Sequence, residues 1–115
     1  MTTARDLVDA ERNRQQTALG YTAEHDDDHT DGEIAQMGSC YADAACAQLD
    51  GTDLEQEYGD EPHPFWPVSE EAWRPSENPL RNLVKAAALL EAEIDKHLRR
   101  GAHVEPPTLH SVADA

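Results

Sequence analysis

The chain has 115 residues, enough for one small core, and a formal net charge of -15. Such an acidic surface repels phosphate backbones and anionic lipid, which excludes nucleic acid and membranes as general partners. The N-terminal Met1-Thr-Thr-Ala-Arg-Asp6 has no apolar signal core, and no apolar run approaches the ~20 residues that span a bilayer. The expectation is a soluble, cytoplasmic protein.

Residues 3–19 read as a first helix. Thr3 followed by Asp6 gives its start, Leu7, Val8, Ala18 and Leu19 a weak apolar stripe, and Gly20 its end. Its middle, Glu11 to Gln16, is polar all round, so it packs on one narrow face or lines a polar site.

The next segment, Thr22 to Glu33, packs two histidines and six carboxylates into twelve residues. Thr30-Asp-Gly-Glu33 matches a capping box, with Thr30 as N-cap, Glu33 at N3 and Asp31 in the first turn. The second helix then carries Ile34, Met37, Tyr41, Ala44 and Ala45 at a 3.6-residue period to about Gln48. Gly38, Ala42 and the alanine pairs admit close approach of another helix, and a homodimer is one way to supply it. Cys40 and Cys46 fall on different faces of this helix, which excludes an intrahelical disulfide and leaves two small buried thiols in a reducing compartment.

Residues 49–78 lack a long periodic pattern. They carry every Phe and Trp of the chain, namely Phe65, Trp66 and Trp73. Pro64-Phe-Trp-Pro67 reads as an aromatic dock, and Ser69 to Trp73 as one helical turn capped by Ser69. A short hairpin within 50–68 is the alternative for that stretch. The third helix opens with Asn78 as N-cap and Pro79 at N1, and stops at Gly101. Leu80, Leu83, Val84, Ala87, Leu90, Ile94 and Leu98 give it a wide apolar stripe, and Arg81 and Lys85 lie on a neighbouring face. The predicted fold is all-α: a three-helix domain over 1–101 with a long aromatic insert between helices two and three, and a disordered tail over 102–115.

The chemistry concentrates at His25, Asp26, Asp27 and His29. Two imidazoles and adjacent carboxylates are adequate ligands for a divalent metal, but they precede the expected N-cap and have no assured helical geometry. A calcium loop is excluded, because Gly38 stands where the bidentate Glu belongs. The same side chains can instead fix the hydroxyls of a nucleotide-like ligand. Arg12, Arg14, Arg81 or Lys85 would then take phosphate, and Tyr21, Trp66 or Trp73 would stack on a base. The competing reading is that the aromatics close the core and the charges pair with one another. Glu33, Glu91, Glu93 and Asp95 raise a third possibility, magnesium held against a pyrophosphate in a nucleotide pyrophosphohydrolase. The charge of -15 raises a fourth, an acidic mimic of nucleic acid that blocks another protein.

The stretch Gly20-Tyr-Thr-Ala-Glu-His-Asp-Asp-Asp-His-Thr-Asp-Gly-Glu-Ile34 resembles a motif of small phage and prophage proteins. In these, a Gly-Trp-Thr-x-Glu-His-Asp-Asp-x-His segment leads to a Trp-Lys-Pro segment, here Trp73-Arg-Pro75. A closing helix like Arg81 to Ile94 follows. A more distant resemblance is to ryanodine-receptor-type repeat domains, with Arg14, Gly20, Tyr21, Asp27 and His29 at the matching positions and Tyr21 where Trp is usual. These resemblances imply an all-α, non-enzymatic protein of the host-cell cytoplasm that binds a nucleotide-like ligand and counters a host defence signal.

Overall fold

Thr3 Oγ1 accepts from the Asp6 amide while the Asp6 carboxylate accepts from the Thr3 amide, a reciprocal cap that opens α1, Ala4–Thr17. The computed structural model describes residues 1–107, and within them every regular element is helical. After α1 come α2 (Ala23–Asp27), α3 (Glu33–Leu49), α4 (Leu54–Tyr58), a 3-10 turn (Glu70–Ala72) and α5 (Pro79–Arg99). The all-α expectation holds, and the insert carries short helices and no strand among the described residues. Residues 102–107 have no regular structure; the rest of the expected tail lies outside the described residues.

The start of α3 differs from the capping-box expectation. Thr30 is not the N-cap: Gly32 is, at φ 78°, and no side chain caps it. Glycine reaches this left-handed conformation without Cβ strain, so the chain turns two residues later than the pattern implies. Asp31 therefore precedes the helix. Glu33 reaches back instead, its Oε1 2.5 Å from the Asp31 amide and its Oε2 3.0 Å from His29 Nδ1. The segment before it is also more ordered than a loop, because Thr22 caps α2 by accepting from the His25 amide.

Helices α3 and α5 form the centre and run antiparallel. The Ala35 amide donates to Glu93 at one end, and Asn82 Nδ2 donates to Gln48 Oε1 at the other. Ile34, Met37 and Tyr41 from α3 meet Ala86, Leu89 and Ala92 from α5 in the core. The periodic positions Ile34, Met37, Tyr41, Ala44 and Ala45 are all buried, as their spacing predicts. Close approach depends on Gly38, where a Cβ would stand 3.1 Å from the Ala86 carbonyl oxygen and 3.2 Å from Leu90 Cγ. Gly38→Val is expected to cost about 1–3 kcal/mol through overpacking, read as a lower urea midpoint with unchanged slope.

Two helices bury different faces from those their apolar residues mark. In α1 the buried residues are Glu11 and Gln15, while Leu7 is exposed. In α5 the buried set is Asn82, Ala86, Ala88, Leu89, Ala92, Glu93 and Lys96. The stripe Leu80, Leu83, Leu90, Ile94 and Leu98 faces outward. Of the two cysteines, Cys40 is buried and Cys46 is exposed, which corrects the expectation of two buried thiols; both are free.

The insert is anchored by its aromatics. Trp73 stacks on Tyr41 with centroids 5.0 Å apart, and Trp66 meets both rings edge-on. Trp66 Nε1 donates to the Ser69 carbonyl. The turn expected at Ser69 is present as the 3-10 segment, although the Ser69 hydroxyl does not cap it. Trp66 docks and Phe65 does not; its ring is exposed.

Candidate functional site

A cleft of about 310 Å3 opens where α1, α3, α5 and the insert meet. It lies at the small end of the roughly 300–1,000 Å3 typical of small-molecule sites. Tyr41 and Met37 of α3 and Leu89 of α5 form apolar lining, and Tyr21, on the chain leaving α1, adds a second tyrosine ring. Arg14 of α1, Arg74 from the insert and Lys85 of α5 bring three cations to it; Glu71 is the carboxylate among its lining side chains.

Each cation is positioned by neighbouring structure. Arg14 is held by a two-point contact to Glu11, Nε to Oε1 at 2.8 Å and Nη2 to Oε2 at 2.9 Å. Glu11 is 2% exposed and also receives Arg81 and Gln15. Burial alone would raise the Glu11 carboxyl, but the bonds from Arg14 and Arg81 outweigh it and hold it below the usual range. The Arg74 amide donates to Tyr41 Oη, and its Nε donates to the Glu71 carbonyl. Lys85 Nζ donates to the Arg74 carbonyl and lies 5.4 Å from the Tyr41 ring centroid, within cation–π range. Burial lowers the Lys85 pKa, and the charges of Arg81 and Arg14 lower it further. Burial pushes the Tyr41 phenol up to about 12, so its proton is retained and it donates to the Ala72 carbonyl.

The residues expected to form one site divide into two groups. Arg14, Tyr21 and Lys85 line the cleft. Arg81 borders it through the shared Glu11. Trp66 and Trp73 back Tyr41 and do not line the cleft. His25, Asp26, Asp27 and His29 lie at the other end of α5. Asp26 is buried beside His25, with Nδ1 and Oδ1 2.9 Å apart. Asp27 pairs with Arg99 at 2.8 Å, and its carbonyl accepts from Arg100. The His29 carbonyl accepts from Lys96. Lys85 and Lys96 are eleven residues apart, about 16 Å along the helix axis, so these acids do not face the cations of the cleft. Tyr21 touches both groups, since its ring stacks on His25 at 4.6 Å.

The proposed magnesium ligands also separate. Glu91 and Asp95 pair with Arg12, Glu93 with Lys96 and His97, and Glu33 with His29. Among the described residues, no group of three or more His, Cys, Asp or Glu side chains is arranged to hold a metal ion. Arg12 is likewise turned away from a phosphate role by these acids.

Two site residues were missed from sequence, Tyr41 and Arg74. The 3.6-residue period marks Tyr41 as core, which it also is. Arg74 stood in the Trp-Arg-Pro segment, whose location beside α1 and α5 follows from tertiary packing alone. No protein-family model, curated protein or solved structure matches this chain. Among the described residues no helix is long and apolar enough to cross a membrane.

Proposed function

We propose that the chain is a binding protein for a small anionic, nucleotide-like ligand, seated between Arg14, Arg74 and Lys85 with Tyr21 and Tyr41 against its ring. The observation that carries this reading is the convergence of three cations on one cleft in a chain of net charge -15. Burial first, and the neighbouring Arg81 and Arg14 charges second, lower the Lys85 pKa, and an anion entering the cleft offsets both. Guanidinium groups fork onto phosphate oxygens, and tyrosine rings offer a face to a base. The resemblance to small phage proteins and to ryanodine-receptor-type repeats favours the same ligand class, with capture of a host defence signal as the biological role. The proposal moves the site from His25–His29 to the cleft, with His25 supporting Tyr21.

The test is a thermal-shift and calorimetric panel of linear and cyclic nucleotides and ADP-ribose derivatives. A ligand at 100 times its Kd should stabilise the fold by about 2.7 kcal/mol. Arg74→Gln and Lys85→Gln should each weaken binding at least tenfold, and His25→Ala much less. Affinity should also fall as pH rises through the lowered Lys85 pKa, and Lys85→Gln should flatten that alkaline limb. A panel without response, or one whose responses ignore both cation variants, defeats the proposal.

A further inference from the structure

The charges around the cleft do not balance. Arg14 and Arg81 share the Glu11 carboxylate, which leaves one positive charge over on that side. Arg74 and Lys85 have no carboxylate within ion-pair distance among the described residues. Arg74 Nε is bonded to the Glu71 carbonyl, and Lys85 Nζ to the Arg74 carbonyl. The Glu71 side chain lines the cleft and is exposed, with no hydrogen bond or ion pair among the described residues. Asp26 is paired with His25 and does not line the cleft. Four cations against Glu11 and Glu71 therefore leave two positive charges unmatched. Burial lowers the Lys85 pKa first; the charges of Arg81, Arg14 and Arg74 lower it further, against Glu11. Donors are also left over: the terminal nitrogens of Arg74, Nη1 of Arg14 and the remaining N–H groups of Lys85.

Two unmatched charges suit a dianion. A phosphate monoester carries roughly −1.5 to −2 at pH 7, because its second pKa is about 6. A phosphodiester, linear or cyclic, has no second ionisation and would leave one cation over. The aromatic side limits the rest of the ligand. Tyr21 is stacked on His25 and Tyr41 on Trp73, so Tyr21 has one face left to offer one base. A cleft of about 310 Å3 then has room for one base, one sugar and one phosphate. Glu71 is held beside Arg74 by its own carbonyl, so a further phosphate would meet its carboxylate, in a chain whose net charge is already -15.

We infer that the cleft selects a nucleoside monophosphate, bound as the phosphate-monoester dianion, with Glu71 as the residue that disfavours additional phosphate. The inference rests on the nucleotide-binding reading above and narrows it. Cyclic nucleotides, other phosphodiesters and diphosphates become the poorer ligands.

Calorimetric titration of the full chain tests this with the four common nucleoside 5′-monophosphates. For the one that binds best, its phosphate methyl ester, its 3′,5′-cyclic phosphate and its 5′-diphosphate are compared. The methyl ester keeps base, sugar and phosphate and removes one ionisation. The monophosphate should bind at least tenfold tighter than either monoanion, and no weaker than the diphosphate. The ratio of monophosphate to methyl-ester affinity should fall toward one as pH drops through about 6, where the second phosphate proton returns. Protein titrations common to both ligands cancel in that ratio. Glu71→Gln keeps the backbone bond to Arg74 and should tighten the diphosphate several-fold more than the monophosphate. A monoanion that binds as well as the monophosphate, a diphosphate that binds more tightly, a ratio flat with pH, or a mono-to-diphosphate preference unmoved by Glu71→Gln overturns the inference and leaves the nucleotide-binding reading standing. Failure of every monophosphate overturns the inference, and silence from the wider nucleotide panel as well overturns that reading with it.

Discussion

Lys96→Met is expected to destabilise the fold by about 3–5 kcal/mol, which is a large part of the ~5–15 kcal/mol available to a domain of this size. Lys96 is 0% exposed. Its ammonium lies 2.5 Å from Glu93 Oε2 and donates to the His29 carbonyl, so one side chain ties α5 to itself and to the end of the acidic segment. Glu93 is buried as well, and its Oε1 accepts from the Ala35 amide at the start of α3. Its Oε2 meets Lys96 and His97 by distance only, without hydrogen-bond geometry, so their positive charge is its main compensation. Methionine fills similar space and strands that carboxylate. Adding Glu93→Gln removes the stranded charge and keeps an acceptor for Ala35, so the double variant should recover part of the loss. Urea unfolding of the two variants measures both effects.

The sign of the pH dependence follows from the same pair. In the native protein burial pushes the Glu93 carboxyl up, but Lys96, the Ala35 amide and His97 hold it below the usual value. Stability from Glu93 is therefore present above the ordinary carboxyl pKa and is lost as pH falls through the lowered value. In Lys96→Met the burial effect prevails and the folded pKa lies above the ordinary one. The variant then regains stability as pH falls through that raised value. The gap between variant and wild type should narrow on acidification, and a gap constant with pH would refute the assignment of Glu93 as the stranded group.

How much of this was legible in the sequence depended on what each helix buries. Helix α3 buries apolar side chains, and its period gave the core residues correctly. The Asn78-Pro79 start of α5 and the Thr3–Asp6 cap of α1 are local hydrogen-bond chemistry, and both are present. The buried faces of α1 and α5 were not legible, because Glu11, Gln15, Asn82, Glu93 and Lys96 are polar. Gln15 donates to Glu11 four residues away, and the other four are compensated by partners distant in sequence: Glu11 by Arg81, Asn82 by Gln48, Glu93 by the Ala35 amide and Lys96 by His29. Periodicity assigns such residues to solvent, and it assigned the leucines of α5 to an inward-looking stripe that the fold turns outward. The cleft was half legible for the same reason. Arg14, Tyr21 and Lys85 were named, but the His25–His29 block attracted the rest of the site by its density of charge. That block is engaged by Arg99, Arg100 and Lys96, whose positions at the far end of α5 decide what it can reach.

Glu11→Gln separates stability from binding, with effects of opposite sign. Glutamine keeps the shape and an acceptor, but loses the charge that gathers Arg14, Arg81 and Gln15. Loss of charge-assisted bonds should cost about 2–3 kcal/mol, at the lower end for a broken buried pair, because both guanidinium groups are partly exposed and stay hydrated where they stand. Glu11 also neutralises the cations beside the cleft, and it is one of the charges that keep the Lys85 ammonium protonated. Removing it should drive the Lys85 pKa further down in the empty cleft and make an anion a stronger compensation. At a pH below the shifted Lys85 value, anion affinity should therefore rise several-fold while the unliganded fold weakens. The ligand-induced thermal shift would grow as the starting melting temperature drops. A structural ion pair with no connection to binding would lower the melting temperature and leave the affinity unchanged. Calorimetric titration of the folded variant, at a temperature well below its transition, distinguishes the two.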